Sequence, residues 1–127
     1  MNSILLVGLG GAFGAIARHL ISRLALHWPN VGFPFATLGV NVIGGCLMGM
    51  LVGWLAHKVD SGNDLRLLFG VGLLGGFTTF SAFSLELVQM IQRKAWGAAV
   101  IYSTSSVVVS VLALLLGLFV MRKIFAV

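Results

Sequence analysis

The sequence predicts an all-α membrane protein with four transmembrane helices, the third of them interrupted. Three observations carry this. Mean hydropathy is +1.08, and 59% of the 127 residues are hydrophobic while 9% are charged, more apolar surface than a soluble domain of this size could hide. The apolar residues gather in four stretches, 4–26, 33–56, 65–91 and 96–121, each longer than the roughly 20 residues that cross a hydrocarbon core. The third stretch contains Gly75-Gly76 and then Phe77-Thr78-Thr79-Phe80-Ser81-Ala82-Phe83-Ser84. Paired glycines weaken a helix, and hydroxyls satisfy the backbone groups that an interruption frees. Such backbone survives at membrane depth only where it is buried in protein or lines a wet cavity, so an interruption there marks a functional site. The competing reading is an unbroken helix that packs through small residues. The connections are short and polar, so one domain, 1–127, is expected.

The first stretch lacks a basic leader and carries Arg18 and Arg23 near its far end, which reads as a span and not as a signal peptide. Its Gly8-Leu9-Gly10-Gly11-Ala12-Phe13-Gly14 run is not a dinucleotide loop, because Phe13 stands where the third glycine belongs. Gly10 and Gly14 form a small-xxx-small pair for close helix approach. Arg18 must snorkel to the headgroups, pair or face water.

Trp28-Pro29-Asn30 reads as a turn, and Pro34 opens the second span. Gly45, Gly49 and Gly53 recur every four residues as a smooth stripe. Cys46, the one cysteine, reads as a small packing residue and says nothing of compartment. Asn41 interrupts the apolar run with Thr37 one turn earlier; it either bonds a neighbouring helix or belongs to a polar line. The stretch from His57 to Asp64 reads as an aqueous loop, and its histidine and acids lack a metal-ligand pattern.

In the third span Phe80 and Phe83 share a helix face, with Ser81 and Ser84 on the adjacent one. Glu86 is the only carboxylate within the four stretches. An intramembrane carboxylate is a functional candidate; the alternative is a position near the interface, paired with a base such as Arg18. In the fourth span Tyr102, Ser106 and Ser110 recur every four residues as one hydroxyl ridge, unless those hydroxyls bond their own backbone.

The net charge of +5 is eight basic residues less three acidic ones, and the basic residues sit at or near span ends, which suits anionic lipid and not nucleic acid. One side of the membrane would hold Lys58, Arg66, Arg122 and Lys123, the other Arg18, Arg23, Arg93 and Lys94, a tie of four against four. The positive-inside rule then gives no preference, so the chain is expected to insert both ways up and to pair as an antiparallel dimer. Nothing in the chain resembles a nucleophile–base pair, so an enzyme is not expected.

The decapeptide Gly75-Gly76-Phe77-Thr78-Thr79-Phe80-Ser81-Ala82-Phe83-Ser84 closely resembles the signature of the Fluc (CrcB-type) fluoride channels. The similarity covers the whole chain, including Arg18 in a glycine-rich first span, the Thr37 and Asn41 region, and Tyr102 with its serines. Phe77 and Ala82 depart from the leucine and threonine common in that signature, at positions with no assigned ion contact. The resemblance implies a fluoride-selective channel in the cytoplasmic membrane, built as an antiparallel homodimer with two pores, that passively lowers internal fluoride. It implies Phe80 and Phe83 as pore phenylalanines and Asn41 as an amide donor in the pore. Ser81, Ser84, Thr37, Thr79, Tyr102, Ser106 and Ser110 would form the polar lining, with Glu86 beside it and Arg18 at the vestibule. The Gly75 and Thr78 carbonyls would hold a central sodium ion shared by both subunits. The rival reading is a small dual-topology, proton-coupled drug exporter; such exporters use a glutamate in the first span, and this first span has none.

Overall fold

The computed structural model describes residues 2–27, 32–58 and 62–125. The turn expected at Trp28-Pro29-Asn30 and residues 59–61 of the expected aqueous loop lie outside them. The chain is all-helical among the described residues, with four segments long and apolar enough to cross a membrane: Ser3–Ala25, Phe35–Leu55, Gly62–Gln92 and Trp96–Ile124.

Helix α1 (Ser3–Ala25) starts where Asn2 Oδ1 accepts the Ile4 amide at 2.9 Å, which satisfies one of the donors orphaned at a helix start. Helix α2 (Phe35–Leu55) begins one residue after Pro34, which occupies the cap position. The third span is composite. A single turn, α3 (Gly62–Leu65), runs into a π-wound segment, Arg66–Leu74, and then into the short α4 (Gly75–Phe77). The wider winding is seen where the Gly75 amide reaches the Gly70 carbonyl, five residues back. Thr78 leaves helical geometry with ψ of 155°, and α5 (Ser81–Gln92) starts after Phe80. Helix α6 (Trp96–Ile124) completes the chain.

The α5–α6 connection is tight. The Ala95 amide reaches the Met90 carbonyl at 2.9 Å and the Lys94 amide reaches Ile91 at 3.0 Å, the two bonds of a Schellman ending. Lys94 supplies the left-handed residue at φ 58°.

Two glycine seams bring the helices together. Along α2 and α6, Gly45 lies against the Ser110 carbonyl, Gly49 against Leu114, and Gly117 against Cys46. Along α1 and the third span, Gly10 lies against the Leu68 carbonyl and Gly14 against Leu73 and Phe77. Water exclusion gives helices in lipid no reason to associate, so backbone approach of this kind supplies the packing energy. Phe83, Met90, Ala99 and Tyr102 form a small buried cluster between α5 and α6. Most other large apolar side chains, among them Leu20, Val100, Leu112 and Leu116, point outward, as suits a surface whose solvent is lipid.

Candidate functional site

The segment between α4 and α5 is held by side chains from the other helices. Asn41, on α2, pairs with Thr79 in both directions: its Nδ2 donates to the Thr79 carbonyl at 2.9 Å, and its Oδ1 accepts the Thr79 amide at 2.8 Å. Arg18, on α1, donates through Nε to the Gly76 carbonyl at 3.2 Å. Thr78 Oγ1 donates to the Leu74 carbonyl at 2.9 Å. Thr79 Oγ1 accepts the Ala82 amide at 3.2 Å, which caps the first turn of α5. The Thr79 peptide and the Ala82 amide are therefore met by the Asn41 carboxamide and the Thr79 hydroxyl, as polar backbone away from water requires.

Beside this segment lies a cavity of about 280 Å3 lined by Asn41, Thr78, Thr79, Phe80, Phe83, Ser106, Ser110, Val107 and Val111. Of the expected pore residues it gathers Asn41, Thr79, Phe80, Phe83, Ser106 and Ser110. The two phenylalanine rings are 5.3 Å apart and tilted at 45°. Phe83 is buried, whereas Phe80 is 75% exposed on this single chain. Ser106 Oγ and Ser110 Oγ are buried and have no hydrogen-bond partner among the described residues. Ser103 and Ser105, on the same helix, bond their own backbone, so the serines of α6 divide into two that are self-satisfied and two left at the cavity. A buried hydroxyl without a partner costs about 1–3 kcal/mol, which favours a polar occupant at that place.

One turn further along lies a second cluster. Glu86 accepts from Thr37 Oγ1 at 2.8 Å on Oε1 and from the Tyr102 hydroxyl at 2.6 Å on Oε2. Tyr102 is fully buried, and its ring stands 5.1 Å from that of Phe83, which joins the two clusters. The carboxylate is thus held by hydroxyls, and Arg18, the alternative partner considered for it, donates to Gly76 instead. Replacing Tyr102 with phenylalanine removes a buried donor to a carboxyl oxygen. It is expected to destabilise the chain by about 1–3 kcal/mol, read as a lower unfolding temperature in detergent; an unchanged temperature contradicts the bond's importance.

Ser81 and Ser84 are not among the cavity residues. Ser81 is exposed and meets Thr79 Oγ1 at 3.3 Å, and Ser84 Oγ donates to the Phe80 carbonyl at 2.9 Å. Arg18, on α1, bonds the Gly76 carbonyl of α4 and is not among the cavity residues. A larger recess, about 760 Å3, has Glu86, Gln89, Gln92, Arg93, Phe33 and Pro34 in its walls. Sequence reasoning left out Gln89 and Arg93 there. Their spacing from Glu86, three and seven residues on one helix, places all of them on one face and was the available signal.

The chain matches the family described as "CrcB-like protein, Camphor Resistance (CrcB)" over residues 5–118. The chain belongs to the CrcB family. Similar proteins include one from Phenylobacterium zucineum (strain HLK1), 53% identical over 99% of this chain and 100% of its own. Another is from Caulobacter vibrioides (strain NA1000 / CB15N), 50% identical with the same coverage. A third, from Agrobacterium fabrum (strain C58 / ATCC 33970), is 40% identical over 98% of this chain and 100% of its own. Each of these CrcB relatives carries the name "Fluoride-specific ion channel FluC".

Proposed function

We propose that this CrcB chain is a fluoride-selective channel of the cytoplasmic membrane that lets fluoride leave passively and keeps internal fluoride low. The observation that carries the reading is the pair of buried, unpartnered hydroxyls, Ser106 and Ser110, facing one cavity with Asn41, Phe80 and Phe83. Fluoride is small and strongly hydrated, and it enters a pore only where donors replace its water. Serine hydroxyls and an amide donate at short range, and phenyl edges carry positive electrostatic potential. The fluoride-channel name borne by relatives as much as 53% identical over nearly the whole chain supports the same reading over the drug exporter. An interior negative potential favours anion exit by roughly 2.3 kcal/mol per 100 mV, so no energy source is needed beyond that potential.

The working unit is an antiparallel homodimer. The charge tie supports two-way insertion. Phe80, 75% exposed on one chain and part of the cavity wall, supports a second copy as the missing wall. Residues 78–80 serve as the break in the third span, at the crossing of the two copies.

Sodium fits the same place. In a continuous helix the Gly75 carbonyl would accept the Thr79 amide and the Thr78 carbonyl the Ala82 amide. Those amides donate to Asn41 and to Thr79 Oγ1 instead, which leaves two carbonyl oxygens suited to a hard cation. When bound, sodium supplies a fixed positive charge that ties two chains at their crossing.

Liposomes holding the purified chain test the function. Fluoride is expected to leave readily while chloride is retained, and exhaustive exchange of sodium for a larger cation is expected to slow fluoride. Flux that tracks the sodium gradient, or a proton-driven drug flux without fluoride conduction, overturns the channel reading.

A further inference from the structure

We propose that Asn41 is the positioning residue of the cation site: by taking the Thr79 amide, it keeps the Gly75 carbonyl free for a small hard cation. This rests on the sodium reading above. An amide at membrane depth must find an acceptor, and the acceptor that helix geometry offers Thr79 is the carbonyl of Gly75. That bond is not formed in the structure, where Thr78 is extended with ψ of 155°. What prevents it is Asn41, whose Oδ1 holds the Thr79 amide at 2.8 Å while its Nδ2 holds the Thr79 carbonyl at 2.9 Å.

The surrounding carbonyls support the assignment. Leu74 accepts from both the amide and the hydroxyl of Thr78, Gly76 accepts from Arg18 Nε, and Phe80 accepts from the amide and hydroxyl of Ser84. Side chains therefore cover the carbonyls before and after Gly75, while the donor that helix geometry assigns to Gly75 is drawn away. The carboxamide suits this task because it offers a donor and an acceptor side by side. An aliphatic side chain of similar size offers neither, and an aspartate keeps the acceptor for the Thr79 amide.

The test compares the full-length chain with Asn41→Leu and Asn41→Asp, purified in detergent. Two readings are taken: carbon-13 shifts of residues 75 and 78–80, and the sodium chloride concentration that gives half-maximal thermal protection. In Asn41→Leu the shifts of 78–80 are expected to turn helical, and half-saturation by sodium to rise at least about tenfold, the scale of one lost hydrogen-bond-sized contact. Asn41→Asp is expected to keep the extended shifts and most of the sodium protection. Extended shifts with unchanged half-saturation in Asn41→Leu overturn the proposal. Should the leucine variant not fold, helical shifts or lost sodium protection in Asn41→Asp overturn it. A wild-type chain that sodium does not protect removes the sodium reading and the cation half of this proposal. The shifts then still decide whether Asn41 holds the Gly75 carbonyl open.

Discussion

Replacing Phe80 with isoleucine is expected to cut fluoride flux at least about tenfold and to leave the chain folded and paired. The ring is 75% exposed on the single chain, so its removal disturbs little packing within it, yet it lines the cavity with the unpartnered serines. Isoleucine keeps apolar bulk and loses the electropositive ring edge. A tenfold loss corresponds to about 1.4 kcal/mol. Phe83→Ile is expected to reduce flux comparably and also to lower the unfolding temperature, because Phe83 is buried 5.1 Å from Tyr102 and a shape change in a packed cluster costs about 1–3 kcal/mol. Fluoride efflux from liposomes, with size-exclusion chromatography for assembly, reads both. Normal conduction by both variants would mean that the ring edges play no part in transport.

The second large effect separates two glycines. Gly49→Leu is expected to abolish the folded chain. A Cβ there would run into the Leu114 carbonyl and approach the Leu118 amide to 2.9 Å, backbone atoms of α6 that cannot rotate away. Overpacking of this kind costs about 3 kcal/mol or more, a large part of a marginal total stability. Gly75→Leu is expected to behave differently. Its Cβ has room within the chain, so the protomer is expected to fold normally by circular dichroism but to run as a monomer and carry no fluoride. A folded, paired and conducting Gly75→Leu chain contradicts a subunit crossing at that residue. A Gly49→Leu chain with wild-type stability contradicts the seam.

How much of this was legible beforehand follows from what a sequence encodes. Hydropathy marks where lipid is the solvent, and all four spans were read from it, with the fourth extending three residues further, to Ile124. Periodicity marks faces. Gly45, Gly49 and Gly53 do meet α6, and Ser106 and Ser110 do face one cavity. The partners of Asn41 and Arg18 were not legible, because each bonds backbone of a residue 38 or 58 positions away, and backbone looks alike at every position. The π-winding of Arg66–Leu74 was equally hidden, since a shift of hydrogen-bond register leaves no mark on the apolar residues that follow Arg66. Ser81 and Ser84 were assigned to the polar lining from the family resemblance. Spacing alone cannot reveal that Ser84 turns back to the Phe80 carbonyl.

The cavity beside Asn41 has Phe80 standing exposed at its wall. If a second copy supplies the missing wall, as proposed, an ion that occupies only the closed cavity must favour association by the same factor by which association favours the ion. Subunit affinity then becomes a function of solute concentration. At one hundred times the dissociation constant, a bound ion adds about 2.7 kcal/mol to the paired state. A cell meeting toxic levels of the anion would thereby strengthen the assembly that removes it, with no sensor beyond mass action.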